Sequence, residues 1–295
     1  MHDVAQELRD SFKAYDDVRD AGQKTPEGIK RYDDIAYGED EKYQVLDVYL
    51  PESDKEAFPV IVSVHGGGWV YGDKERYQYY CMSLAKRGFA VVNFTYRLAP
   101  EYKFPCSVED TYMVFEWVYS HATEYRLDTS NVFAVGDSAG ANILGLYCNI
   151  CTNETYAQSF FPMLEDAKAP KAVALNCGVY DVRRGAPTGE MTAGLLEVLL
   201  PYKGTEEELD MISVCNHVTY DFPPTFIMTC TGDGQAKQVF SMVKTLTEKN
   251  IPFEYHYYGD RLHELGHVFH LDMRSDFARI CNDEECSFFR KKIDI

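Results

Sequence analysis

Val132-Phe133-Ala134-Val135-Gly136-Asp137-Ser138-Ala139-Gly140, running on through Ala141 to Tyr147, changes character twice within a few residues. The first four residues read as a short buried strand, and the stretch from Ala141 to Tyr147 suits a helix. Between them stands a G-x-S-x-G run. A strand that turns into a helix this abruptly holds one residue in a strained conformation and exposes its hydroxyl at the top of a sheet. Glycines are needed on both flanks, because side chains there collide with the neighbouring strand and helix. Ser138 is therefore the candidate nucleophile.

Working outward, the same strand-then-helix rhythm recurs on both sides. Upstream, strands at 60–64 and 90–95 alternate with a helix over 74–87, closed by Gly88, and a helix over 105–125 opened by a proline. Downstream, strands at 172–176, 225–229 and 253–258 frame a helix over 236–249 that ends before Pro252. Two more strands, at 33–37 and 45–50, come first. Such alternation predicts an α/β fold, with a mostly parallel central sheet covered by helices on both faces. Residues 1–295 read as one domain.

Two segments break the rhythm. Residues 3–20 place Val4, Leu8, Phe12 and Tyr15 on one face of an amphipathic helix. Residues 182–218 carry an apolar patch, Leu195, Leu196, Val198, Leu199 and Leu200, followed by a Thr205/Glu208 capping box. A small helical cap drawn from 1–30 and 182–218 is expected over the site.

Composition narrows the partners. Among 295 residues, 47 acidic against 29 basic side chains leave a net charge of −18, which works against nucleic acid and anionic membrane surfaces. A hydrophobic content of 45% and an aromatic content of 14% fit a globular enzyme and not a disordered chain. The amino terminus lacks the apolar core of a signal peptide, and no apolar run is long enough to span a bilayer. Nine cysteines, an odd number, then read as reduced thiols of a cytoplasmic protein. Cys148 and Cys151 match C-x-x-C, but they lie in the helix after Ser138 without a second pair, so packing is their expected role. Neither a cofactor nor a metal is expected. A homodimer is compatible with the sequence.

A serine hydroxyl is a poor nucleophile at neutral pH and needs a base and a place for the negative charge formed on the attacked carbonyl. The charge site has a candidate in His65-Gly66-Gly67-Gly68-Trp69, directly after the strand at 60–64. Consecutive glycines leave backbone N–H groups unshielded. Those of Gly67 and Gly68, with that of Ala139, form the candidate oxyanion hole, each donor worth about 3–4 kcal/mol in mutational tests. His65 is expected to brace this loop through its ring nitrogens. Trp69, Tyr71 and Asp137 are candidate substrate-pocket residues, and Arg97 with Glu101 an internal ion pair.

His65-Gly-Gly-Gly-Trp69, Tyr96-Arg-Leu-Ala-Pro-Glu101 with Phe104-Pro105, and Gly-Asp-Ser138-Ala-Gly140 resemble, in order and spacing, the hormone-sensitive-lipase-like branch of the α/β-hydrolases. The resemblance runs from about residue 40 to about residue 270. It implies a carboxylic-ester hydrolase with a Ser-Asp-His triad. Asp233, in Thr231-Gly-Asp-Gly234 after the strand at 225–229, is placed to orient a histidine, with Asp260 the competing acid. The family commonly has a second acidic residue soon after the first, and Gly234-Gln235-Ala236-Lys237 departs from that pattern. The family's histidine setting selects His267. The same segment, from His263 to His267, spells H-E-x-x-H, a zinc-protease signature, but a glycine sits inside it and a turn immediately precedes it. His263 and His270 are expected to be surface or packing residues.

The leading expectation is a serine esterase acting on small, short-acyl esters. Two alternatives share the sequence: a deacetylase or feruloyl-type esterase on plant carbohydrate esters, and a non-catalytic receptor for small ligands on the same fold.

Overall fold

The computed structural model describes residues 4–160, 164, 166–183, 185–186 and 190–293. Its strands are β1 (Ile29–Ala36), β2 (Val45–Pro51), β3 (Phe58–Val64), β4 (Ala90–Phe94), β5 (Leu127–Asp137), β6 (Val173–Asn176), β7 (Thr225–Cys230) and β8 (Phe253–Tyr258). They form one sheet in the order β1-β2-β4-β3-β5-β6-β7-β8. β2 runs antiparallel to both β1 and β4, and every other pair is parallel. The helices are α1 (Val4–Asp20), α2 (Lys74–Lys86), α3 (Cys106–Ser120), α4 (Ala139–Thr152), α5 (Glu154–Ala157), α6 (Glu190–Leu199), α7 (Glu206–Met211), α8 (Val214–His217), α9 (Ala236–Glu248) and α10 (Asp276–Arg290).

The central strands explain why helices cover both faces. Along β3, Val60, Val62 and Val64 join a core shared with α3, α4 and α9, while Ile61 joins a second core with α2 and α10. A strand buried on both sides reads as a continuous β-branched run. Each side chain buried this fully stabilises by about 1.5–3 kcal/mol before conformational entropy is subtracted. α4 is buried from Ala139 to Ile150, which places the residue that starts it deep against the sheet.

The boundaries of three elements differ most from the sequence expectation. β1 starts earlier, at Ile29, and its register with β2 shifts between Tyr32 and Ile35, next to Asp34 in the left-handed region (φ 58). β5 reaches back to Leu127, opposite Phe58, with a register shift that lets polar Asp128 and Asn131 sit inside a strand. The helix expected over 105–125 starts at Cys106, with Pro105 as its N-cap, and stops at Ser120.

α1 packs partly through its apolar stripe, with Leu8 against the core and Phe12 edge-on to Tyr71, but its most buried residues lie elsewhere. Ala5, Asp16 and Arg19 are buried, whereas Tyr15 is 61% exposed. The helix also docks through charge. The Arg9 guanidinium donates to Val70 O, Ala99 O and Glu101. Arg19 pairs with Asp16 and Asp20 and donates to Arg76 O. Asp16 accepts from the Tyr71 hydroxyl, and Asp17 pairs with Arg76. These partners lie in distant segments, so the period of the helix alone cannot reveal them.

The Thr205/Glu208 capping box is present as expected. Within the two expected cap segments, residues 1–3, 184 and 187–189 lie outside the described residues. All nine cysteines are free, and Cys148 is buried on α4 with Cys151 half-buried one turn later. Among the described residues no helix is long and apolar enough to cross a membrane.

Candidate active site

Ser138 occupies the single residue between β5 and α4, with φ 52 and ψ −119. Backbone crowding enforces this turn. A Cβ added at Gly140 would lie 2.1 Å from Val64 O, and one at Gly136 would lie 2.6 Å from Gly140 O. Neither contact can be relieved by a side chain swinging away. The Ser138 N–H is tied to Asn176 O on β6 at 2.9 Å, which anchors the turn to the sheet.

His267 and Asp233 converge on this serine from the last two parallel strands. His267 Nε2 lies 3.0 Å from Ser138 Oγ, and its Nδ1 lies 2.7 Å from Asp233 Oδ1. The loop after β7 and the segment carrying His267 are zipped together. Gly232 N–H donates to Leu265 O at 2.8 Å, and Leu265 N–H donates to Thr231 Oγ1 at 2.9 Å. Asp233 Oδ2 accepts from Thr229 Oγ1 at 2.6 Å, and Oδ1 also accepts from Gln235 N–H at 2.8 Å. Burial pushes the Asp233 carboxyl up, but the bonds from His267, Thr229 and Gln235 together hold it below the ordinary carboxylate value. Gln235, within the stretch 234–237 that departs from the family's acidic pattern, thus supplies a backbone donor to the same carboxylate.

Asp260 does not reach His267. It is exposed and accepts from the N–H groups of Leu262 and His263, closing a local turn. His263 pairs with it at 3.1 Å. Residues 261–268 are not helical, so the H-E-x-x-H spacing does not put its two histidines on one helix face. His270 is fully buried against Tyr80.

The glycine loop lies beside the serine. Gly67 adopts φ 117, and a Cβ there would sit 2.1 Å from Tyr71 O, so only glycine fits. His65 braces the loop from beneath: its ring stacks on Tyr96 at 3.9 Å and its Nδ1–H donates to Gly66 O at 2.7 Å. Only one ring nitrogen takes part; among the described residues Nε2 has no partner. Burial lowers the His65 pKa to about 4, keeping the ring neutral. The Tyr77 hydroxyl accepts from Gly66 N–H and donates to Asp137 Oδ2, both at 2.8 Å. Asp137 is buried, which pushes its carboxyl up to about 7 against the hydrogen bond from Tyr77. The N–H groups of Gly67, Gly68 and Ala139 make no hydrogen bond among the described residues.

Ser138 and His267 open into a cleft of about 650 Å³. Trp69, Tyr71 and Asp137 line it, as do Phe12, Tyr15, Asp16 and Arg19 of α1 and Met191, Thr192 and Leu195 of α6. Sequence reasoning missed Asp16 and Arg19 as lining residues. Their i,i+3 spacing on one helix was the available signal, but nothing local shows that this pair faces inward. Arg97 and Glu101 do not pair with each other. Arg97 bonds Asp110 and Glu109 on α3, and Glu101 bonds Arg9, because α1 approaches Glu101 from the far end of the chain. Among the described residues, one cluster with metal-ligand chemistry is present: Cys177, Asp233 and His267.

Residues 46–244 match the family model BD-FAE. Versiconal hemiacetal acetate esterase of Dothistroma septosporum is 23% identical over 237 residues, 73% of this chain and 69% of that protein. Carboxylesterase NlhH of Mycobacterium tuberculosis is 38% identical over 97 residues, which cover 32% of this chain and 30% of NlhH. Among solved structures, esterase B from Lactobacillus rhamnosis superposes with a TM-score of 0.86 at 24% identity, over 99% of this chain and 97% of that one. A bacterial heroin esterase does so with a TM-score of 0.77 at 20% identity, over 99% and 92%. This chain belongs to the BD-FAE family, and it has the α/β-hydrolase fold of these esterase structures.

Proposed function

We propose that this protein is a serine carboxylesterase that hydrolyses small, short-acyl esters through an acyl-enzyme. The observation that carries this reading is the unbroken line Ser138 Oγ–His267 Nε2 and His267 Nδ1–Asp233 Oδ1, at 3.0 and 2.7 Å, beside three backbone donors that have no partner among the described residues.

Asp233 accepts from Nδ1–H, which leaves the Nε2 lone pair facing the serine. As Ser138 Oγ attacks the ester carbonyl, Nε2 takes its proton, and the Asp233 carboxylate stabilises the imidazolium. The N–H groups of Gly67, Gly68 and Ala139 receive the oxyanion. The imidazolium then protonates the departing alcohol. Water, deprotonated by the same Nε2, releases the acid and restores the serine. A receptor on this fold would need none of these distances.

The acyl-length reading rests on the walls of the cleft. α1 and α6 serve as the cap, and α6 stands on the glycine loop: a Cβ on Gly68 would lie 2.8 Å from Leu195 Cδ1. This close approach of α6 supports a short acyl space on that side. Each methylene that fits contributes about 0.8 kcal/mol, and the gain stops when the wall is reached. The acetate esterase and carboxylesterase names of the relatives agree with this substrate class.

Ser138→Ala tests the reading. It should abolish hydrolysis of an aryl butyrate without changing the Tm, and an organophosphonate should add once per chain, at Ser138. Retention of roughly a tenth of wild-type turnover, or labelling at another residue, would overturn it.

A further inference from the structure

We propose that this chain binds a thiophilic divalent cation, of the Zn²⁺ class, through Cys177, Asp233 and His267, with Cys230 beside them, and that the bound ion silences Ser138.

The ligand atoms of Cys177, Asp233 and His267 all lie within 4.8 Å of one another. Donors around a tetrahedral ion with bonds of about 2.0–2.3 Å stand roughly 3.3–3.8 Å apart, so closure needs shifts of about an ångström. Cys230, at the end of β7, is close enough to Cys177 for the two thiols to interact, and its S–H points at Leu265 O (3.1 Å) and Gly266 O (3.2 Å), the segment that carries His267. Thiolate, imidazole and carboxylate together suit a borderline-soft cation and not a hard one.

The backbone gives an independent reason to look at Cys177. It has φ 47, a left-handed conformation that glycine adopts without strain and a cysteine does not. Its S–H donates weakly to Met228 Sδ at 3.7 Å. The strained position holds a thiol directly behind the Asp233–His267 pair.

The chemistry of inhibition follows from the ring. A cation on Nδ1 displaces the proton that Asp233 accepts, and that proton moves to Nε2, so the nitrogen facing Ser138 can no longer serve as a base. Cys177 loses its thiol proton to solvent as its sulfur bonds the metal, and Cys230 loses a second if it joins. The inhibitory half rests on the proposed triad; the binding half does not.

The test uses the full chain stripped by a chelator and titrated with CdCl₂ or ZnCl₂, with MgCl₂ as the hard-cation control. Expected results are saturation at one equivalent, thiolate-to-cadmium ultraviolet absorption, proton release, and loss of esterase activity that a chelator restores. Cys177→Ser should weaken cadmium affinity by at least the roughly 10–100-fold that even outer-shell changes cause, and Cys230→Ser should reduce the ultraviolet band. Each variant is compared with its own metal-free rate. Binding without thiolate absorption, or a Cys177→Ser protein that wild-type cation concentrations still inhibit, would overturn the proposal. If the protein showed no esterase activity at all, absorption and proton release would still decide the site.

Discussion

Asp233→Asn separates the charge of the proposed triad acid from its shape. Asp233 Oδ1 accepts from both His267 Nδ1 and Gln235 N–H, while among the described residues Oδ2 accepts only from Thr229 Oγ1. An asparagine keeps its carbonyl oxygen at the Oδ1 position, since an amide NH₂ there would face the Gln235 donor. The NH₂ then meets Thr229, whose hydroxyl can turn and accept. The ring therefore keeps its tautomer, and what disappears is the attraction between carboxylate and imidazolium. For charge centres roughly 4 Å apart at an effective dielectric of about 20, that attraction is about 4 kcal/mol, or about three decades in kcat. KM should barely move, because the interaction exists only after proton transfer. Thermal stability should fall by about 1–2 kcal/mol, a few degrees in Tm. The assay is steady-state hydrolysis of an aryl butyrate beside a thermal melt. A loss of about 10⁴ would mean that the amide has flipped and the ring has the wrong tautomer. A loss below about tenfold, or Asp260→Asn proving more damaging than Asp233→Asn, would refute the assignment of the acid.

His267→Ala should cost as much as Ser138→Ala, with the double variant no worse than either single one, while His263→Ala should leave kcat within about twofold, all read in the same ester assay. Arg9→Met cuts the bonds from α1 to Glu101, Val70 O and Ala99 O; the half-exposed pair limits the effect, so KM should rise by roughly tenfold or less with kcat little changed. In wild type, a panel of aryl esters should show kcat/KM peaking between acetyl and butyryl. The last prediction concerns pH. Burial raises the Asp137 and Glu285 carboxyls to about 7, so their contribution to stability is present at low pH and lost as pH rises through 7. Burial lowers His65 to about 4 and His270 to about 3, so theirs is lost as pH falls below the unfolded value of 6.5. The two pairs offset each other between pH 4.5 and 6.5, and removing one acid unmasks the histidines. Glu285→Gln should therefore lose about 1.4 kcal/mol per pH unit more steeply than wild type as pH drops through this window, measured by urea unfolding. An identical slope in the two proteins would contradict it.

Much of the sheet was legible because its central strands announce themselves locally. A strand buried on both faces needs a run like Val60-Ile61-Val62, and a serine held in a one-residue turn needs Gly136 and Gly140, so composition over a few residues suffices. Where both demands were weaker, the reading fell short. β5 takes in Asp128 and Asn131, which look like loop, because pairing with β3 satisfies their backbone regardless of side chain. Asp233 was the favoured acid in sequence, because it follows the strand before the histidine's, but Asp260, which also follows a strand, stayed a competitor. Only the closeness of the β7 loop and the His267 segment, joined by Gly232 N–H to Leu265 O, puts one at 2.7 Å and turns the other outward to His263.

The sequence by itself determined an alternating α/β chain, the strained serine, the open glycine loop and the histidine that resemblance selects. These are properties of short windows, where sterics and periodicity act between neighbours along the chain. Tertiary structure alone decided that Asp16 and Arg19 of α1 are buried, that Glu101 answers Arg9 and Arg97 answers Asp110, and that Cys177 stands behind the Asp233–His267 pair. Each of these depends on charges and thiols brought together from segments far apart in the chain. No local pattern encodes such a pairing, because its energy exists only once the sheet has placed both partners.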